Sequence, residues 1–428
     1  MGRVSCCAAA LWALASCTSA VPNDPVVTVD ELGVRYRGLA RESVEDFNSV
    51  KFADDTSGSR RFAPPQPYTL GCNSSSGDEE EILHCLRDVP MDKLTETAMG
   101  YAMENHPPAG LFTFIPSVDD DFLPDRQSVL YKAGRFAQVP IVYGWTHDDG
   151  ATNAGPATGY QSEADIKTAI RGFAHALTDD DYAELFALYP ASEFDEEVHN
   201  YEARKAAADP TVSVHYFRAA RILRDLLFTC SSLEFAAEIR KRSDDPSSVR
   251  LYDLNQSTVT PLLQGAGMVW LSGAVHGSDM DYLYNNMFPR EKLSEADLEV
   301  SDRMLAAFIN FAYAGDPNGD GAEAASSWPE AFPSMVNGAS SQSKPALNVQ
   351  LIGGPWGTGS CHLTPDTGSR EGSFAPEQMD MQHPMVDSTK YGEMGGNERL
   401  QHGQRELERD RLQERCGFIN TLAEKLGR

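Results

Sequence analysis

Positive charge is what this chain has least of. Its 36 lysines and arginines face 63 aspartates and glutamates, a formal net charge of −27. That balance repels polyanions, so the chain is a poor partner for anionic membrane surfaces and no nucleic-acid partner is expected. Long apolar runs are missing as well. Beyond residue 20 none reaches the ~18 residues of a membrane-spanning helix, so no transmembrane segment is expected. No Cys-x-x-Cys occurs and the histidines lack ligand spacing, which argues against zinc. A glycine-rich phosphate loop is also absent, so no cofactor is expected.

What is present begins with a leader. Met1 to Ala20 carries Arg3, an apolar centre from Ala8 to Ala15 and small residues up to Ala20. This is the pattern of a secretory signal, so the chain is expected outside the cell. The run Leu14-Ala15-Ser16-Cys17 would also suit a bacterial lipoprotein signal. Three of the eight cysteines lie in the leader, leaving Cys72, Cys85, Cys230, Cys361 and Cys416. An oxidising compartment pairs such residues and leaves one over. Cys72 and Cys85 close a short polar loop and are the expected disulfide; the other three admit any pairing. Sequons at Asn73 and Asn255 are candidate glycosylation sites. Asn255 follows a segment expected to be buried, which favours Asn73.

At 428 residues the chain suffices for one large or two ordinary domains. Pro25 to Gly38 alternates apolar and polar residues around Glu-Leu-Gly, which predicts a small antiparallel hairpin. The proline-rich run around Arg61, Phe62, Pro64 and Pro65 excludes a helix. Val139 to Thr146 reads as a strand and runs into His147-Asp148-Asp149-Gly150. Helix-period stretches follow within Tyr160 to Ala187 and Glu197 to Lys241, then a second strand, Val249 to Asn255. Ser301 to Ala314 predicts an amphipathic helix capped by Ser301 or Asp302 and ended at Gly315-Asp316-Pro317-Asn318. Leu347 to Leu351 suits a last edge strand. Gly353 to Gly396 is rich in Gly, Pro, Ser and Asp and is expected to be a linker. Asn397 to Arg428 predicts one closing helix, whose Leu412, Cys416, Ile419, Leu422 and Leu426 would dock on the body, with a partner as the alternative.

The chemistry centres on Leu271 to Tyr284, LSGAVHGSDMDYLY. His276 stands between Gly273 and Gly277, glycines that let the backbone turn sharply and admit another segment beside the ring. A lone histidine is more often a structural side chain than a catalytic one, and an Asp-Asp-Gly turn is more often solvated than functional. Together, however, they place an imidazole and a carboxylate at two strand ends, acid first in the chain. Asp279 is a further carboxylate that could orient the loop.

This ordered set resembles the type-B carboxylesterases, the cholinesterase and lipase family of α/β-hydrolases. The likeness is carried by Arg61-Phe62 with Pro64-Pro65, the Cys72 to Cys85 loop, Phe114 to Pro124, the strand entering Asp149, the His276 loop, and Phe311-Ala312 with Gly315 to Asn318. It implies that His276 is the general base of a Ser-His-acid triad. Asp149, just before the glycine, would be the acid, although glutamate is usual there; Asp148 is the weaker alternative. It also implies an α/β fold with a mixed, mostly parallel sheet, flanking helices and a small amino-terminal antiparallel hairpin.

One part of the family pattern does not occur. At Leu70-Gly71 the sequence passes directly from a family-like amino-terminal segment to a loop found well after the nucleophile. Every pair of glycines four apart has Ala157, Val275, Pro317, Pro355, Arg370 or Met394 between them, so no Gly-x-Ser-x-Gly is present. No His-Gly-Gly run supplies oxyanion-hole amides either. The expectation is an incomplete α/β-hydrolase fold over 21–353 with its central segment lacking at 68–71, after a signal at 1–20 and before a linker at 354–396 and a helix at 397–428. The resemblance implies a small carboxylic ester or lipid-like substrate, with no serine nucleophile in this chain to attack it. A non-catalytic extracellular adhesion or binding domain is the alternative.

Overall fold

A computed structural model describes four short strands between residues 26 and 46. It then describes residues 79–105, 118, 122–174, 176–245, 248–284, 288–319, 327–334, 346–363 and 395–426. The segment expected to be a leader, the proline-rich run at 61–65, Cys72 and Asn73 lie outside the described residues, as does most of 114–124.

The chain divides into two compact units, 1–95 and 96–428. In the first, β1 (Val26–Val29) pairs antiparallel with β2 (Val34–Arg37), and β3 (Leu39–Arg41) with β4 (Val44–Asp46). Helix α1 spans Glu79–Asp88, and α2, over Met91–Asn105, runs across the boundary between the two units.

The second unit is built on a four-stranded sheet. After α3 (Gln127–Lys132) comes β5 (Ile141–Thr146), then α4 (Glu163–Arg171), α5 (Asp179–Leu188), α6 (Asp195–Arg204), α7 (Val214–Arg224) and α8 (Cys230–Arg242). Next are β6 (Val249–Leu254), α9 (Val259–Gly265), α10 (Ser278–Tyr284) and α11 (Glu295–Ala314). The chain closes with β7 (Leu347–Ile352), β8 (Gly359–Leu363), α12 (Gly396–Arg409) and α13 (Leu412–Ile419). The strand order is β5-β6-β7-β8, parallel except for the antiparallel β7–β8 pair. This is an α/β fold with a mixed, mostly parallel sheet and flanking helices.

Alternation along the strands explains why both faces are covered. On β6, Val249 and Leu251 join the core beneath α7 and α8, while Tyr252 and Leu254 join a second cluster with Val300, Met304 and Ala307 of α11. Strands covered on both faces read as continuous apolar runs, and all six residues of β6 are buried. Each fully buried large aliphatic or aromatic side chain contributes about 1.5–3 kcal/mol.

The ends of these elements are set by local chemistry. Ser162 with Asp165 and Thr178 with Asp181 form capping boxes at α4 and α5. Helix α11 starts earlier than the sequence predicts, because Ser294 accepts from the Asp297 N–H and caps it. Ser301 instead lies inside the helix, its hydroxyl bonded to the Tyr282 carbonyl. The expected stop holds: Gly315 takes the left-handed conformation at φ 71°.

Two carboxy-terminal expectations need correction. Leu347–Ile352 is not the edge strand, because β8 pairs on its far side. Residues 359–363 therefore belong to the sheet and not to a linker. Their alternation is real, with Gly359, Cys361 and Leu363 buried, but it is short and set among turn-forming residues. The closing segment is also two helices. Arg411 adopts φ 45° between them and breaks the 3.6-residue period. Leu412, Cys416, Ile419 and Leu422 are nevertheless buried in the main core.

Candidate active site

Strand register brings the candidate residues together. Thr146 pairs with Leu254 at the ends of β5 and β6. The chain beyond β5 then runs beside the segment that precedes His276. The His147 N–H bonds the Leu254 carbonyl at 2.9 Å, and the Asp148 N–H bonds the Ala274 carbonyl at 2.9 Å. Asp148 bridges in parallel to Val275, so the next residue on each side is Asp149 and His276.

Nδ1 of His276 lies 2.6 Å from Oδ1 of Asp149. The carboxylate is buried, while the imidazole side chain is 57% exposed. The Thr146 N–H reaches Oδ2 of Asp149 at 3.3 Å, fixing the carboxylate from behind. Asp149 raises the pKa of His276 chiefly through this hydrogen bond; burial opposes the rise, and the charges of Asp149 and Asp279 add to it. Among the described residues, no hydroxyl bonds the other ring nitrogen.

Asp148 is placed differently. Its carboxylate packs on Gly273, where an added Cβ would fall 1.8 Å from Oδ2. Gly273 also has φ 62°, so a side chain there would be strained as well as obstructed. Burial pushes Asp148 above the ordinary carboxylate range, with His147, Arg221 and Arg224 opposing. Of the two aspartates, Asp149 is the one hydrogen-bonded to the ring.

Several supporting residues were not singled out from sequence. Ser257, Thr258 and Thr260 follow β6 directly and pin the histidine turn: Ser257 bonds Ser278 at 2.7 Å, Thr258 bonds Asp281 at 2.6 Å, and the Thr260 hydroxyl donates to the Gly273 carbonyl at 2.7 Å. The polar run Gln-Ser-Thr-Val-Thr was the available signal. Asp279, which the sequence did offer as a carboxylate to orient the loop, accepts from the Tyr252 hydroxyl at 3.1 Å. Phe228 stacks on His276, with centroids 4.6 Å apart and planes 23° from parallel.

The acid loop rests on a buried polar layer. His147 Nδ1 lies 3.1 Å from Asp253 of β6. Burial disfavours charge on this imidazole and Arg221 opposes it further, but the charge and hydrogen bond of Asp253, with the charge of Asp148, raise the pKa. Gly150 permits the loop to sit directly on the backbone of α7, since an added Cβ would lie 2.0 Å from the Ala220 carbonyl oxygen. Arg224 is fully buried between Asp225 at 2.7 Å and Asp410 at 2.9 Å, and its Nη1 lies 3.4 Å from the His147 carbonyl. Asp410 also binds Arg221. Although burial opposes ionisation, Arg221 and Arg224 hold Asp410 well below the carboxylate range.

The remaining predicted positions are less central. Cys230 and Cys416 form a disulfide that ties α8 to α13, and Cys361 is a buried free thiol. Cys85 is disulfide-bonded. Asn255 is buried, and its amide lies 3.4 Å from the Asp253 carbonyl. It is therefore closed to a glycan in the folded chain. Among the described residues, no group of three or more His, Cys, Asp or Glu could hold a metal ion, and no helix is long and apolar enough to cross a membrane.

An imidazole and a buried carboxylate on loops beyond adjacent parallel strands, within a helix-covered mixed sheet, describe an α/β protein of hydrolase type. The carboxylesterase family profile matches residues 68–350, and the chain belongs to that family. It is 28% identical over 288 residues to the inactive carboxylesterase-like protein VdtD of Byssochlamys spectabilis, covering 65% of this chain and 48% of that protein. It is 28% identical over 254 residues to a secreted lipase of Arthroderma benhamiae, covering 58% of this chain and 41% of the lipase. The chain thus spans less than half the length of these curated relatives. Among solved structures, it resembles EstA of Aspergillus niger with a TM-score of 0.48 and 15% identity, over 82% of this chain and 53% of EstA.

Proposed function

We propose that this chain is a secreted, shortened carboxylesterase or lipase-like protein that keeps the base and acid of a Ser-His-acid triad and lacks its serine. His276 is the base and Asp149 the acid. The single observation that carries the reading is their 2.6 Å contact. A carboxylate there selects the tautomer with hydrogen on Nδ1 and stabilises the imidazolium that forms when the far nitrogen takes a proton. The site would then serve a small carboxylic ester or lipid-like molecule without a cofactor.

The family reaction begins with a hydroxyl attacking the ester carbonyl. With no Gly-x-Ser-x-Gly in the sequence, the base has nothing to deprotonate. Loss of the oxyanion donors would remove about 3–4 kcal/mol of transition-state stabilisation for each donor. The chain is therefore hydrolytically silent, an α/β-hydrolase fold interrupted at Leu70-Gly71. The likeness to a relative described as inactive supports this reading. Sequencing the transcript across Tyr68 to Cys72 tests the interruption: a skipped coding segment is expected, and an uninterrupted exon would count against it. Assaying the purified chain beside His276→Ala on a p-nitrophenyl ester tests the chemistry. Equal background rates are expected; a His276-dependent rate would show that a nucleophile is present.

A further inference from the structure

The histidine turn does not by itself determine which way its ring faces. An added Cβ at Gly277 would meet nothing, and the one hydrogen bond to Asp149 leaves the imidazole free to rotate about that contact. A second contact is needed to set the plane of the ring. Phe228 supplies it by face-to-face stacking at 4.6 Å.

Phe228 sits on an unusual piece of backbone. Helices α7 and α8 are joined through a π-helical turn, Asp225–Thr229, in which the Cys230 N–H bonds the Asp225 carbonyl five residues back. One extra residue in a helix swings the side chains that follow by about 100°, and such turns often occur at functional sites. This turn is held at both ends. Asp225 binds Arg224 at 2.7 Å and the Tyr189 hydroxyl at 2.6 Å, and Cys230 is tethered to Cys416. The Phe228 carbonyl accepts from the hydroxyls of Ser231 and Ser232 at 3.2 and 2.8 Å.

We propose that Phe228 is the positioning residue of the imidazole: its ring, carried on the anchored π-helical turn, fixes the plane of His276 so that Nδ1 meets Asp149 and Nε2 is directed away from it. This deepens the base-and-acid reading of the site and rests on it. Phe228 acts through His276 and takes no part in bond making. An aromatic face also favours the charged imidazolium over the neutral ring. The acidic groups acting on the ring are Asp149 beyond β5 and Asp279 in the first turn of α10; on the π-helical turn that carries Phe228, the Asp225 carboxylate is engaged by Arg224 and Tyr189.

The test is an NMR titration of His276 in the full chain, reading both the imidazole midpoint and the downfield Nδ1 proton. Wild type is compared with Asp149→Asn, Phe228→Leu and Phe228→Trp. The midpoint is expected to fall in Asp149→Asn. In Phe228→Leu it falls in the same direction and the downfield proton is lost to exchange, whereas Phe228→Trp restores both. Should Phe228→Leu unfold, Phe228→Met keeps the bulk without an aromatic face and carries the comparison. A leucine variant that titrates and retains its proton like wild type, while Asp149→Asn shifts, overturns the role of Phe228 alone. If Asp149→Asn does not shift either, the base-and-acid reading fails and the positioning role falls with it.

Discussion

The contact between His276 and Asp149 is a consequence of strand register. Asp148 pairs with Val275, and the residue after each is the one that carries the polar group. The pair joins residues 127 apart in the chain at 2.6 Å, and its parts are held by different elements: the carboxylate by the Thr146 amide, the ring by Phe228.

That arrangement gives Asp149→Asn a definite pH signature. The folded pKa of His276 is raised above its ordinary 6.5. The stability it contributes is therefore fully present below pH about 6.5 and is lost as pH rises through the raised value. Because the ring is 57% exposed, solvent screening keeps the effect below about 1 kcal/mol. Denaturant unfolding should show the variant less stable than wild type at pH 5.5, with the gap narrowing by pH 9.

Gly273→Ala should be disproportionately costly for one methyl group. It places a Cβ 1.8 Å from the Asp148 carboxylate at a φ of 62°. Strain of this kind costs about 1–3 kcal/mol. Thermal unfolding should show that loss, and the His276 midpoint should move because the turn is displaced. Gly277→Ala meets no obstruction and carries only the backbone cost.

Asp410→Asn should be among the most destabilising single changes. It removes the carboxylate that Arg221 and Arg224 share. Breaking a buried pair from one side costs about 3–5 kcal/mol. Since the folded pKa of Asp410 is depressed, its contribution is present above its unfolded value and disappears as pH falls through the folded one. Melting temperatures of wild type and variant should therefore converge only in strong acid.

The cysteines should separate cleanly. The Cys230–Cys416 disulfide spans 186 residues, and the loop-closure model assigns such a link roughly 5 kcal/mol. Replacing both with serine should lower the melting temperature markedly. Burial pushes the Cys361 thiol up to about 12, so iodoacetamide at pH 8 should label it only after unfolding, as peptide mapping would show.

How much of this was legible in the sequence depends on the range of the interaction. The strand at 141–146, the stop at Gly315 and the apolar stripe from Leu412 to Leu422 are local patterns, and they were readable. His276 and Asp149 were readable as candidates through the order of motifs around them. The layer beneath them was not. Arg224 looks like an ordinary charge on an amphipathic helix, and nothing near it announces Asp410, 186 residues away. The His147–Asp253 pair was hidden for the same reason, since Asp253 sits within an otherwise apolar strand. The π-helical turn leaves no mark in composition, and β8 was obscured by the glycines and serines around it.

The most direct measurement is exposure of the folded chain to a fluorophosphonate probe that reacts with activated serines, followed by peptide mass spectrometry. No phosphonylated serine is expected, with the same result for wild type and His276→Ala. A single serine modified in wild type and spared in His276→Ala would mean that the base has a nucleophile after all, and would contradict the account at its centre.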